Sequence, residues 1–178
     1  MITIRQLQQP DRQQIPVIDV GEEDSRVYRV IDGQLQIIEH AWQRPRWDVP
    51  RWQEILAGWD KTLKTDLLLG AYDGAQIVGV AGLRYKLTAT MGQLTSLYIS
   101  RTHRKQGVAS QLVQAVLRLL TADGPQAIYV SAKPSLPAVN FYMRHGFRLT
   151  AEPDPFLFDL HPLDIHMVRP QQDTPATR

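Results

Sequence analysis

The 178-residue chain contains no cysteine. This absence excludes disulfides, thiolate nucleophiles and cysteine-ligated zinc. The chain also has no apolar run near the ~20 residues that a helix needs to cross a bilayer. Its first residues alternate like a strand and lack the apolar segment of a signal peptide. We therefore expect a cytoplasmic protein without membrane contact.

An excess of charge of one sign is absent as well, since the formal net charge is only +2. The basic residues are dispersed except at one loop, so composition does not indicate nucleic acid. A nucleic-acid binder that uses Arg101, Arg104 and Lys105 as phosphate contacts is therefore a disfavoured alternative. His161 and His166 are five residues apart on a presumed strand and would lie on opposite faces. We expect no metal site.

A basic, glycine-containing loop is the most informative segment that is present. It joins an apolar strand at 94–99 to an amphipathic helix and reads Arg104-Lys105-Gln106-Gly107-Val108-Ala109. Main-chain N–H groups at such a helix start point outward at the positive end of the dipole. Gly107 has no Cβ to block close approach, and Arg104 and Lys105 add mobile charge. The loop predicts a diphosphate site; the alternative is an ordinary strand-to-helix turn.

The helix after this loop is predicted from its apolar spacing. One face carries Val108, Leu112, Ala115, Val116 and Leu119. Asp123-Gly124-Pro125 should end the helix, and residues 127–131 read as a short buried strand. A right-handed crossover makes this strand the parallel neighbour of 94–99.

Two hairpins and a helix precede this unit. The first hairpin pairs 28–31 with 35–38 around Asp32-Gly33, and the second pairs 67–72 with 77–83 around Asp73-Gly74. Between them a helix should begin near Pro50; its apolar face comprises Trp52, Ile55, Leu56, Trp59 and Leu63. After residue 150 we expect strands at 156–158 and 165–168 and a disordered tail over 170–178.

A second motif, residues 135–147, follows one strand after the loop and reads as a short helix capped by Gly146. Together the two motifs resemble the GNAT superfamily of acyl-CoA N-acyltransferases, over about 66–169. Arg104–Ala109 matches that family's Arg/Gln-x-x-Gly-x-Gly/Ala signature. Its later segment is matched by Ala138, Tyr142, Gly146 and Phe147. Ser135 stands where the family often has Asn, so no CoA contact is assigned there.

The resemblance implies an α/β (α+β) fold. Its sheet should be mixed, mostly antiparallel and twisted, with a central parallel strand pair splayed around acyl-CoA and helices on both faces. An extra N-terminal hairpin arm, with the Pro-Ala-x-Asn-x-Tyr wording, is most similar to the streptothricin-type antibiotic acetyltransferases. We expect one domain: residues 1–65 on the acceptor side, an acyl-CoA-binding core at 66–169 and the tail at 170–178.

The function implied by the resemblance is direct transfer of an acetyl group from acetyl-CoA, without metal, to a primary amine of a small molecule or a peptide N-terminus. The alternative is a non-catalytic acyl-CoA-binding sensor or interaction module. Main-chain groups at Leu97, Tyr98 and Ile99 would hold the pantetheine and polarise the thioester. The remaining residues expected to bind the co-substrate are Arg104, Lys105, Gln106, Gly107, Val108, Ala109, Ser110 and Asn140. The protein could be a monomer or a homodimer paired through 28–38.

Tyr142 is the expected general acid. Protonating a thiolate of pKa ~8.5 from a phenol of pKa ~10 is uphill by about 2 kcal/mol. The alternative is that the ring only packs beside Phe141. No general base is assigned, because Gln93, Thr95 and Ser96 stand where many family members carry Glu. His103 and His145 read as surface residues.

The acceptor side offers two further candidates. Trp42 and Trp47, in an Arg/Pro-rich connection, are the better pocket candidates among the four tryptophans, since Trp52 and Trp59 lie on an apolar helix face. The acidic triplet 22–24 is either a site that attracts a cationic acceptor or a solvated surface.

Overall fold

The computed structural model describes residues 1–121 and 124–171. Its strands are β1 (Ile2–Gln6), β2 (Glu22–Ile31), β3 (Gln34–Arg44), β4 (Leu67–Asp73), β5 (Gln76–Arg84), β6 (Met91–Ile99), β7 (Ala127–Ala132), β8 (Arg148–Leu149) and β9 (Ile165–Pro170). Its α-helices are α1 (Val49–Lys61), α2 (Val108–Thr121), α3 (Leu136–Arg144) and α4 (Pro155–Leu160). Two 3-10 helices span Gln9–Val17 and Arg101–His103.

The strands of the described residues form one seven-stranded sheet and a separate two-stranded sheet. The large sheet has the order β1-β4-β5-β6-β7-β9-β8, and its pairings are antiparallel except between β6 and β7. The small sheet is the long hairpin of β2 and β3. The predicted mixed, mostly antiparallel fold with one central parallel pair is therefore confirmed.

The parallel pair separates soon after it forms. Only Met91, Gly92 and Gln93 of β6 pair with β7, opposite residues 127–129. On its other edge β6 stays paired with β5 as far as Ile99, and the register shifts between Leu94 and Ser96. A bulge of this kind bends a strand and increases its local twist. The C-terminal halves of β6 and β7 consequently diverge and leave a V-shaped opening.

Helices cover both faces of the sheet, as the alternating apolar residues of its strands require. On one face, side chains such as Leu69 and Ala71 of β4 pack with α2 and α3. On the other, Leu68 and Tyr72 join a cluster containing Trp52 and Trp59 of α1 and residues of the Gln9–Val17 helix. No helix in the described part of the chain is long and apolar enough to span a membrane.

Both predicted hairpins are confirmed. Asp32 and Gly33 have φ of 51° and 74°, which fits the two-residue turn that joins β2 to β3. The second turn is shifted by one residue: Asp73 pairs with Gln76, so the turn is Gly74-Ala75.

Several sequence predictions of local structure are wrong. Residues 156–158 belong to α4, because Asp154 accepts a hydrogen bond from the Leu157 N–H and Pro155 occupies the first turn. Leu119 is 39% exposed, while Val113 and Leu120 of the same helix are buried.

Two other segment ends also differ from the prediction. Leu63 lies beyond the end of α1, and Pro170 is the last residue of β9, not the start of the tail. Asp123 of the predicted helix stop and the tail residues 172–178 lie outside the described residues.

Candidate active site

A cavity of about 780 Å³ occupies the opening between β6 and β7. Its walls come from the diverging halves of the two strands, the loop before α2, the helix α3 and the start of β2. In the described part of the chain, the β7-facing edge of β6 has no strand partner beyond Gln93. Leu97, Tyr98 and Ile99 line the cavity there. The main-chain groups of this stretch that point away from β5 are available to an extended ligand, apart from the Ile99 carbonyl, which accepts from Arg104.

The loop before α2 has the backbone expected of an anion site. Lys105 and Gly107 adopt positive φ of 60° and 80°. Within the described residues, the main-chain N–H groups of 105–110 donate no hydrogen bond. An added Cβ at Gly107 would meet no atom within 4 Å. A row of free donors therefore faces an open space at the start of a 14-residue helix.

The loop side chains divide into two groups. Lys105, Val108, Ala109 and Ser110 line the cavity with Gly107, whereas Gln106 does not and donates to the Thr102 carbonyl at 2.8 Å.

Arg104 lines the cavity too, but its guanidinium is fixed. It donates to the carbonyls of Ile99 at 3.2 Å, Gly21 at 2.8 Å and Asp19 at 3.4 Å. The expected mobile charge therefore fits Lys105 but not Arg104, which ties the loop to the segment before β2.

Tyr142 is positioned by α3 and lies in the cavity wall. The helix ends in the predicted glycine cap: Gly146 has φ of 85°, and the Phe147 N–H donates to the Tyr142 carbonyl at 3.1 Å. Burial raises the pKa of Tyr142 well above its ordinary value, nearby Tyr98 raises it further, and Arg44 opposes the shift. The ring centres of Tyr142 and Phe141 are 5.4 Å apart in an edge-on contact. Tyr142 therefore also packs against Phe141.

Asn140 also faces the cavity, and its orientation is set by the hairpin arm. The Tyr28 hydroxyl donates to Asn140 Oδ1 at 2.8 Å, and the Tyr28 N–H donates to the Pro134 carbonyl at 2.8 Å. A bridge between Val27 and Ser135 continues this contact. The arm therefore closes one end of the opening.

The start of β2 supplies an acidic part of the wall that the sequence left open between two readings. Glu22, Glu23 and Asp24 all line the cavity. Glu22 is held at both oxygens: Ser135 Oγ donates to Oε1 at 3.1 Å, and Arg44 Nη2 donates to Oε2 at 2.8 Å. Neither Glu22 nor Arg44 was singled out from the sequence, although the acidic triplet itself was a usable signal.

The two tryptophans expected at the pocket lie behind its wall, next to Arg44. The Arg44 guanidinium carbon lies 5.6 Å from the ring centre of Trp42 and 6.0 Å from that of Trp47, with Tyr98 at 5.2 Å. Arg44 and Tyr98 line the cavity, and these tryptophans surround the arginine.

A lysine that the sequence analysis did not consider lies at the end of β7. Lys133 lines the cavity, and its Nζ donates to both oxygens of the buried Asp164 at 3.0 Å. This ion pair fixes the segment before β9 at the cavity rim.

The four histidines considered in the sequence analysis lie in different environments. His103 lines the cavity, and His145 packs on Phe141 at the end of α3. His166 is buried and bonds Tyr129 through Nδ1 at 2.7 Å, and burial raises the pKa of Tyr129 to about 12. His161 is not on a strand but follows α4. Among the described residues no three metal-ligating side chains are grouped.

Comparisons with known proteins give one family. The model of the GNAT acetyltransferase domain matches residues 49–156, more than half of the chain. An uncharacterized N-acetyltransferase, YjcF of Bacillus subtilis (strain 168), is 28% identical over 81 residues, which are 46% of this chain and 55% of that protein. The chain thus spans about half the length of this curated relative.

Solved structures show the same architecture. A nourseothricin acetyltransferase superposes with a TM-score of 0.73 at 19% identity, over 95% of this chain and 98% of that one. A Bacillus anthracis (str. Ames) protein assigned as a streptothricin acetyltransferase, solved with acetyl coenzyme A, gives 0.70 at 13% identity over 94% and 96%. At these identities the likeness concerns the fold.

Proposed function

The chain belongs to the GNAT acetyltransferase family, and on that premise we propose that it transfers an acetyl group from acetyl-CoA directly to a primary amine. The acceptor class is a small molecule or a peptide N-terminus. The observation that carries the proposal is the opening between β6 and β7, with free main-chain donors at one end and a buried tyrosine in its wall.

The cavity suits each part of the co-substrate by a different feature. The free N–H groups of 105–110 and the side chain of Lys105 offer donors and charge to a diphosphate. The space beside Gly107 allows close approach, since a Cβ there would meet no atom within 4 Å. The unpaired edge of β6 at residues 97–99 can bond the amide groups of an extended arm.

Tyr142 supports catalysis and not binding alone. Its raised pKa keeps it a phenol at neutral pH, so it holds a proton for the departing thiolate. The transfer is more uphill than the ~2 kcal/mol that ordinary pKa values give, because burial destabilises the phenolate. Arg44 offsets part of this cost, since its positive charge lowers the pKa of Tyr142.

The test couples binding to turnover. Thermal-shift titration with CoA and acetyl-CoA should show stabilisation. A free-thiol assay should then show acetyl-CoA consumption with at least one acceptor class among amino acids, polyamines, aminoglycosides, streptothricin and N-terminal peptides. CoA binding without thiol release across this panel would favour the sensor alternative, and no CoA binding would contradict the proposal.

A further inference from the structure

We propose that Glu22, on the N-terminal hairpin arm, is the carboxylate that contacts the acceptor nitrogen and takes its proton during transfer. The inference rests on the proposed acetyltransferase function and adds a residue to it. It assigns the general base, which β6 does not supply.

The Glu22 side chain is held by hydrogen bonds in the cavity wall, unlike a carboxylate that is solvated at the surface. Its side chain is only 18% exposed although it lines the cavity. Ser135 Oγ donates to one oxygen and Arg44 Nη2 to the other, at 3.1 and 2.8 Å. Each carboxylate oxygen has two lone pairs, so both can still accept a hydrogen bond from a ligand.

Arg44 is itself held from three sides. Its Nε donates to the Val20 carbonyl at 2.9 Å. The rings of Trp42, Trp47 and Tyr98 lie within 6.0 Å of its guanidinium carbon. Cation–π contacts of this kind restrict the orientation of a guanidinium. The arginine therefore fixes the direction of the Glu22 carboxylate.

Glu22 is also joined by a hydrogen bond to the start of the helix that carries the expected acid. Its partner Ser135 is the residue before α3, the helix that carries Tyr142. The charges that face Glu22 belong to Arg44 of β3 and Arg104 of the loop, and Arg44 also acts on the pKa of Tyr142. The base and the acid are thus linked through one arginine.

The other titratable groups in the wall fit the role less well. β6 contributes Thr95 and Ser96 but no carboxylate. His103 belongs to the phosphate end, as the last residue of the 3-10 helix that precedes the loop. Lys133 is paired with Asp164. Glu22 is the carboxylate in the described wall with both oxygens bonded to side chains.

The step balances with these two residues. A neutral amine forms the N–C bond to the thioester carbon as the C–S bond breaks. Glu22 takes the proton that the nitrogen must lose, and Tyr142 gives its proton to the sulfur. Exchange with solvent then returns Glu22 to the carboxylate and Tyr142 to the phenol.

Glu22→Gln tests this role with two nucleophiles. With the amine acceptor found in the thiol-release panel, kcat should fall on the order of 100-fold, as expected for loss of a general base. With hydroxylamine, a weakly basic nucleophile whose nitrogen gives up its proton to water more readily after attack, the loss should stay below about 5-fold. Glu39→Gln removes the same charge from the exposed face of the same hairpin and should change neither rate.

Measuring CoA binding by thermal shift separates a failure of the proposed function from a failure of the role proposed for Glu22. If wild type binds no CoA, the proposed function fails. The role of Glu22 is refuted if Glu22→Gln binds CoA normally but its kcat with the amine stays within about 3-fold of wild type. It is also refuted if kcat falls equally with both nucleophiles. Ser135→Ala supplies a second variant should Glu22→Gln not fold: it frees one oxygen of Glu22, and kcat with the amine should fall about 5- to 10-fold while hydroxylamine turnover is kept.

Discussion

Replacing Gly107 by Ala separates backbone strain from loss of ligand space. Gly107 has φ of 80°, and an added Cβ would meet no atom within 4 Å. The left-handed conformation costs an alanine roughly 1–2 kcal/mol. For a chain of this size, each 1 kcal/mol lowers the melting temperature by about 2–4 °C. The Cβ would also occupy the space where a diphosphate meets the loop, and losing one charge-assisted hydrogen bond costs about 1.5–3 kcal/mol. We therefore expect CoA affinity to fall about 10- to 100-fold.

Gly33→Ala is the matched control for this experiment. Gly33 has φ of 74°, and a Cβ there also meets nothing within 4 Å, but it lies in the β2–β3 turn. Both variants should lose similar stability in thermal unfolding. Isothermal titration with CoA should show a weaker Kd for Gly107→Ala alone. Equal Kd values for the two variants would refute the assignment of the loop as the diphosphate site.

Four further substitutions test other contacts. Tyr142→Phe should lower kcat on the order of 100-fold with CoA affinity unchanged; equal activity would leave the ring with a packing role. Arg104→Ala should cost about 2 kcal/mol of stability in chemical unfolding, because three carbonyls lose their donor. Lys105→Gln should instead weaken CoA binding at little cost in stability. The reverse pattern would contradict the roles assigned to these two residues. The hydrogen bond from Arg5 holds the pKa of Asp11 below its ordinary value, so the contribution of Asp11 to stability is complete above about pH 4 and is lost as the pH falls further. Asp11→Asn should therefore flatten the low-pH part of a plot of unfolding midpoint against pH. An unchanged plot would contradict a stabilising contribution from this hydrogen bond.

The parts of the fold that could be predicted from sequence are those set by local patterns. Asp32-Gly33 specified its turn, because positive φ at both positions suits Asp and Gly. The loop before α2 and the cap at Gly146 were likewise marked by glycine, which adopts positive φ without steric cost. Residues 156–158 were misassigned, because three apolar residues carry no period. The Asp154-Pro155 pair before them was the informative signal, since it begins a helix.

The site could be predicted only where it is made by a continuous segment. The loop at 104–110 and the helix with Tyr142 each come from one stretch of chain, and both line the cavity. Arg104 was misjudged, because its guanidinium bonds carbonyls more than 80 residues earlier in the chain. A motif gives the residue type at a position, but the direction of a long side chain depends on what packs beside it.

Glu22 shows why the acceptor side was not predictable. Its contact with Ser135 joins residues 113 apart, and it depends on β2 crossing the open end of the β6–β7 pair. No local pattern specifies that crossing; it follows from the hairpin arm pairing with itself and packing against α3. The proposed co-substrate side is thus built from segments with fixed backbone requirements, whereas the proposed acceptor side is built from long-range contacts of an arm. On the proposed assignment of this arm to the acceptor side, changes in the arm should alter the acceptor without disturbing the loop.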